Sequence, residues 1–224
     1  MQLQRLQRHD LLPILRIGLP AGIQSAVFSV SNIVIQAGIN SLGTVVMAAS
    51  SAALNLELMA YFVLNSFSQA CTTFVGQNYG AWKLDRCKKT LALSLLEDAI
   101  ATAAVIALVL GAGKPVLAIF NNDPQVISLG YTRLVLVFSA YMFSMMYEVM
   151  SGYLRGFGIS LTPAALTTLG VCGIRIFWIA VVFPRNPTFR TIMYVYPISL
   201  STTALLIFLA LLWFRPAKRA AERE

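Results

Sequence analysis

The chain has 224 residues, of which 58% are hydrophobic and 12% charged, with a mean hydropathy of +0.72. A soluble domain carries about twice that charged share at roughly 45–50% apolar content, so lipid is the solvent for most of this chain. The formal charge of +8 would suit a nucleic-acid binder, but the basic residues stand between apolar runs. A bias of Lys and Arg in membrane loops explains them, and no nucleic-acid partner is expected.

At about 20 apolar residues per crossing, the length suits a bundle of six transmembrane helices. Residues 1–13 read as a basic linker, 14–214 as the six-helix lobe and 215–224 as a basic tail. Residues 17–56 and 58–82 hold no Asp, Glu, Lys or Arg. The first of these runs must fold back once, and Ser41-Leu42-Gly43-Thr44 supplies the break between a helix over 14–40 and one over 48–76. A charged loop over 77–90 follows, then a third span over 91–113 that stops at Gly113-Lys114-Pro115. Asn121-Asn122-Asp123-Pro124 reads as a turn and helix cap for a fourth span reaching Leu154. A fifth covers 163–183, with Pro163 in its first turn, and a sixth covers 191–214. These runs are about twice the length of a barrel strand and do not alternate in polarity, so the fold class is an all-α integral membrane protein.

Six spans place both termini on one side. That side carries Arg5, Arg8, Arg16, Lys83, Arg86, Lys88, Lys89, Arg155, Arg215, Lys218, Arg219 and Arg223, against Lys114, Arg185 and Arg190 opposite. The excess predicts a multi-pass plasma (inner) membrane protein with both termini cytoplasmic. Cys87 is expected in a cytoplasmic loop and Cys71 and Cys172 within spans, all reduced.

Polar residues inside the spans carry the functional signal. At 100° per residue, Ser25, Ser29, Asn32, Gln36 and Asn40 share an arc of about 80° on the first helix. Glu57, Tyr61, Asn65, Ser68 and Thr72 do the same on the second, and Arg133, Ser144, Glu148, Ser151 and Arg155 fall within about 60° on the fourth. Three such stripes predict a wet cavity, with interhelical glue as the alternative for any single residue. Glu57 lies about 13 Å inside its helix, where a carboxylate is protonated, ion-binding, or paired with Arg133 or Arg175. It is the cation-coupling candidate. Arg175 is expected to make an internal ion pair or carbonyl anchor, Glu148 to reach the headgroups, and Glu97-Asp98 to pair at the interface with Lys88 or Lys89. Gly18-x-x-x-Gly22 and Gly152-x-x-x-Gly156 would permit close helix contacts.

Enzyme chemistry finds little support. The single histidine, His9, lies in the N-terminal tail, so neither a histidine triad nor a two-histidine zinc site forms within the chain, and no metal site or cofactor is expected. Gly111-Ala112-Gly113-Lys114-Pro115 lacks the first glycine and the Ser/Thr of a phosphate loop.

Ile17-Gly18-Leu19-Pro20-Ala21-Gly22-Ile23-Gln24, the Ser31-Asn32-Ile33 region, Thr73-Phe74-Val75-Gly76-Gln77-Asn78-Tyr79-Gly80-Ala81 and Leu154-Arg155-Gly156-Phe157-Gly158, in this order and spacing, resemble the multidrug and toxic compound extrusion (MATE) family. The resemblance implies the C-terminal lobe of a twelve-helix, two-lobe transporter that exchanges cationic or amphipathic compounds for sodium or protons. It implies as partners that substrate, membrane lipid, and either a missing N-terminal lobe or a second copy. A carboxylate pair used for cation binding in one branch of the family falls here on Phe28 and Ser144, so that site does not carry over. Glu57, in Asn55-Leu56-Glu57, matches a position where the family often has an acid. The alternatives are a flippase lobe for lipid-linked saccharides and a non-transporting membrane subunit.

Overall fold

A computed structural model describes residues 8–222. Residues 1–7 of the linker and the last two of the tail, Arg5 and Arg223 among them, lie outside the described residues. The helices are α1 (Arg8–Asn40), α2 (Thr44–Gly80), α3 (Leu84–Phe120), α4 (Pro124–Phe138), α5 (Tyr141–Gly156), α6 (Leu161–Arg185), α7 (Phe189–Met193), α8 (Val195–Phe214) and α9 (Pro216–Ala221). Five are long and apolar enough to cross a membrane, and six crossings result when α4 and α5, bent by 47°, count as one. No strand occurs among the described residues. The chain is thus an all-α, multi-pass membrane protein.

Local chemistry sets the ends. Gly43, at φ +99, turns the chain between α1 and α2 in a conformation that side chains other than glycine rarely adopt. Asp123 Oδ1 accepts from the Gln125 N–H at 2.8 Å, and Pro124 opens α4 where its missing N–H costs nothing. Thr188 caps α7 by accepting from the Thr191 N–H. Pro197 has no N–H to offer Met193, four residues back, and α7 ends there.

Several boundaries differ from the sequence expectation. The loop expected over 77–90 shrinks to residues 81–83, because α2 and α3 each run for 37 residues. Each is therefore about 55 Å long against a hydrocarbon core of about 30 Å, and the charged residues around Asp85 and Lys88 continue the helix beyond the lipid. The third span does not stop at Pro115. That proline sits in the projecting end of α3, exposed, where water replaces the hydrogen bond it removes. The fourth span is two helices, with Ser139 Oγ donating back to the Leu136 carbonyl at the bend. The fifth contains two widened, π-helical stretches, Thr168–Gly173 and Trp178–Val182, before a closing turn at Phe183–Arg185.

α2 is the central strut, packed against α3, α4 and α5. Leu64, Cys71, Val75, Leu134, Phe138, Val149 and Met193 form its core, and a smaller cluster of Tyr147, Met150, Leu200 and Ile207 joins α5 to α8. α1 lies at the edge, resting on α6 and only lightly on α2. That placement leaves one face of α1 outside the core.

Candidate functional site: buried charges and an exposed polar face

The α1 stripe points away from the core. Ser25, Ser29, Asn32 and Asn40 are exposed and Gln36 is half-buried. Ser29 Oγ donates to the Ser25 carbonyl, Gln36 Nε2 donates to Asn40 Oδ1 at 2.8 Å, and Asn32 Oδ1 accepts from Arg175 Nη1 at 3.3 Å. Amide and hydroxyl groups on an exposed face at membrane depth require water or a polar partner.

The α2 stripe does not behave as one unit. Glu57 turns inward, where Arg133 of α4 grips it through two parallel bonds, Nε to Oε1 at 2.5 Å and Nη2 to Oε2 at 2.8 Å. Arg133 also donates to Ser50 Oγ at 3.0 Å, and to the Tyr196 hydroxyl at 3.4 Å. With side-chain exposures of 3% for Arg133 and 10% for Glu57, both charges are desolvated and satisfied by each other. Tyr61 is exposed and Asn65 half-buried. Neither bonds the Glu57 carboxylate, which is held by Arg133.

Ser68 and Thr72 serve as glue. Ser68 Oγ donates to the Glu148 carbonyl at 2.7 Å and Thr72 Oγ1 to the Gly152 carbonyl at 3.1 Å. α5 comes this close because of Gly152, where a Cβ would sit 2.5 Å from the Ser68 carbonyl oxygen. The Gly18-x-x-x-Gly22 pair has no such neighbour within 4 Å. Ser144 is buried. The three stripes therefore do not line one cavity inside the lobe: those of α2 and α4–α5 mostly face helix contacts, and the α1 stripe faces outward. Shallow, open concavities lie elsewhere, at Leu212–Glu222 and at Pro124–Leu129.

Among the described residues Arg175 makes neither the ion pair nor the carbonyl anchor expected of it. It is buried between Asn32 and the Tyr196 ring, 4.6 Å from the ring centroid, with Arg133 at 5.5 Å from the same centroid. Glu148 does not reach the headgroups freely, keeping a side-chain exposure of 14% with Arg155 Nη2 at 3.9 Å. Asp98 makes no interfacial pair with Lys88 or Lys89. It is fully buried, and Lys88 pairs with Asp85 instead, at 3.5 Å. Cys87 is buried too, its Sγ 3.7 Å from the Val75 carbonyl, because the loop around it has become helix. Cys71 and Cys172 lie buried within spans, as expected. Sequence reasoning missed Ser50 and Tyr196. Ser50 had a signal, since it lies seven residues before Glu57 and hence on the same face of α2. Tyr196 had none.

The sequence profile of the MatE family matches residues 20–181. The chain belongs to the MatE family. It is 27% identical over 173 residues to a probable multidrug resistance protein NorM of Chromobacterium violaceum, covering 75% of this chain and 35% of that relative. It is 30% identical over 129 residues to human multidrug and toxin extrusion protein 1, covering 58% and 23%. A crystal structure of MATE in complex with MaL6 superposes with a TM-score of 0.86 at 17% identity, covering 99% of this chain and 50% of that one. An inward-facing MATE family transporter of the MOP superfamily gives 0.80 at 17%, covering 97% and 50%. The chain thus spans well under half the length of these curated relatives and about half that of the solved transporters, and its fold is one lobe of such a protein. The named relatives are resistance and extrusion proteins.

Proposed function

We propose that this chain is the C-terminal lobe of a secondary active efflux transporter, exchanging amphipathic or cationic compounds for sodium or protons. The observation that carries the reading is the outward polar face of α1, on a lobe whose fold matches half of a transporter. A face of that kind is the wall of a water-filled cleft whose other wall is an N-terminal lobe or a second copy of this chain. Two copies inserted with the same topology share one orientation, as a two-fold axis along the membrane normal requires, and the even number of spans allows the same arrangement for two lobes fused in one chain. The distribution of Lys and Arg supports cytoplasmic termini in a plasma (inner) membrane.

The stripe between Ser25 and Asn40 carries no basic residue, which favours cationic cargo over the anionic headgroup of a lipid-linked saccharide. The test is efflux of a cationic dye from proteoliposomes. The chain alone should be inactive as a monomer, while a two-lobe assembly should respond to an imposed sodium or proton gradient. Efflux by a chain shown to be monomeric would refute the need for a second wall. Failure of every two-lobe assembly would leave the non-transporting subunit.

A further inference from the structure

Asp98 lies about four turns into α3 and has no exposed surface. Thr102 Oγ1 donates to its Oδ1 at 3.1 Å, but Oδ2 is enclosed without any hydrogen-bond partner. α3 packs against α5, where Glu148 is near enough for the two carboxyl charges to interact. Among the described residues the cation paired with Glu148 is Arg155, which stands 3.9 Å away and directs its Nη2 to Ser68 Oγ at 2.9 Å. The other titratable groups facing the pair are the phenols Tyr61 of α2 and Tyr141 and Tyr147 of α5, while Arg133 of α4 is spent on Glu57. Ser151, one turn beyond Glu148 on α5, also buries an unpartnered hydroxyl.

Two carboxylates against one arginine leave a net negative charge in the interior, which a proton cancels. A metal cation would need several oxygen ligands. The enclosed Oδ2 offers no such shell, and no group of three or more His, Cys, Asp or Glu side chains suited to a metal occurs among the described residues. A proton needs only one lone pair, and those of Oδ2 are free.

We propose that Asp98 and Glu148 form a proton-binding pair holding one exchangeable proton. Its use as the coupling site rests on the transport reading above. The proton passes from water to the Glu148 carboxylate and on to Asp98, and returns by the same route, with no other bond made or broken. Glu148 keeps some solvent contact, and Tyr61 beside it is exposed. Release of the proton leaves one uncompensated negative charge, the state that a cationic compound offsets.

The experiment is infrared difference spectroscopy between acid and alkaline buffer on the full chain in liposomes. The wild type should show the carbonyl band of one protonated carboxyl group, and Asp98→Asn should abolish it. Thr102→Val leaves Asp98 in place but removes its hydrogen-bond donor, and should shift the band. Glu148→Gln removes the second negative charge, so the band should be lost at a lower pH than in the wild type, and while present it should exchange hydrogen for deuterium at least tenfold more slowly. A spectrum unaltered by Asp98→Asn, or a band that Thr102→Val does not move, would overturn the pair. These readings do not depend on transport, so a chain that moves no substrate can still pass or fail them.

Discussion

The Glu57–Arg133 contact is a structural ion pair if its two charges are worth more together than apart, and a double-mutant cycle measures that. In Glu57→Gln the amide still accepts one bond from the guanidinium, but Arg133 keeps a buried, uncompensated charge. Breaking a buried pair from one side costs about 3–5 kcal/mol. The bonds from Arg133 to Ser50 and Tyr196 are common to both proteins and cancel, while the bond that the amide keeps offsets on the order of 1 kcal/mol, so a net loss of roughly 2–4 kcal/mol is expected. Arg133→Met strands the carboxylate in the same way. The double variant replaces two charges by neutral groups of similar volume and should lie within about 1 kcal/mol of the wild type. With each single variant losing roughly 2–4 kcal/mol and the double variant close to nothing, the expected coupling is roughly 4–8 kcal/mol, about a thousand-fold to nearly a million-fold in an unfolding equilibrium. Denaturation in mixed micelles follows it, read by the fluorescence of Trp178, which donates to the Thr191 carbonyl at 2.7 Å. Single variants that lose under 1 kcal/mol, or a double variant that loses the sum of the singles, would show that the charges do not stabilise each other.

Gly152→Ala pushes a methyl into the Ser68 carbonyl and disturbs the two bonds joining α2 to α5. It should cost roughly 2–4 kcal/mol, whereas Gly22→Ala, with open space around it, should cost nothing in the same denaturation assay. Cysteines placed one at a time at Ser25, Ser29, Asn32 and Asn40 should react with a water-soluble thiol reagent in the assembled transporter, while one at Leu108, on the apolar outer face of α3, should not. Equal protection at all of these sites would remove the water-lined cleft. Native Cys87 should resist such reagents until the protein unfolds, because it is buried. Lys83→Cys, at an exposed position in a background without native cysteines, should label in inside-out vesicles and not in intact cells; labelling from outside would reverse the orientation.

The membrane class, the number of crossings and the polar faces were legible because they depend on the solvent and on one helix at a time. A run of charge-free residues excludes water whatever its neighbours are, and a 100° period assigns Ser25 and Asn40 to one face without knowing what that face meets. Helix ends were less legible. Asp85 and Lys88 look like loop residues in sequence, yet a helix that outruns the bilayer carries them as turns in the aqueous phase. Partners were not legible at all. Glu57 had two arginines to choose from, and only the packing of α4 on α2 selects Arg133 and leaves Arg175 to Asn32 and Tyr196. Asp98 shows the same limit from the other side: a few turns from Lys88 and Lys89 on one helix it resembles an interfacial ion pair, but the packing of α3 leaves it no exposed surface and gives it Thr102 as its partner. Sequence specifies which charges the lipid must hide. The packing of one helix on another decides what each of them hides against, because that depends on relative rotation and depth, which a single helix does not encode.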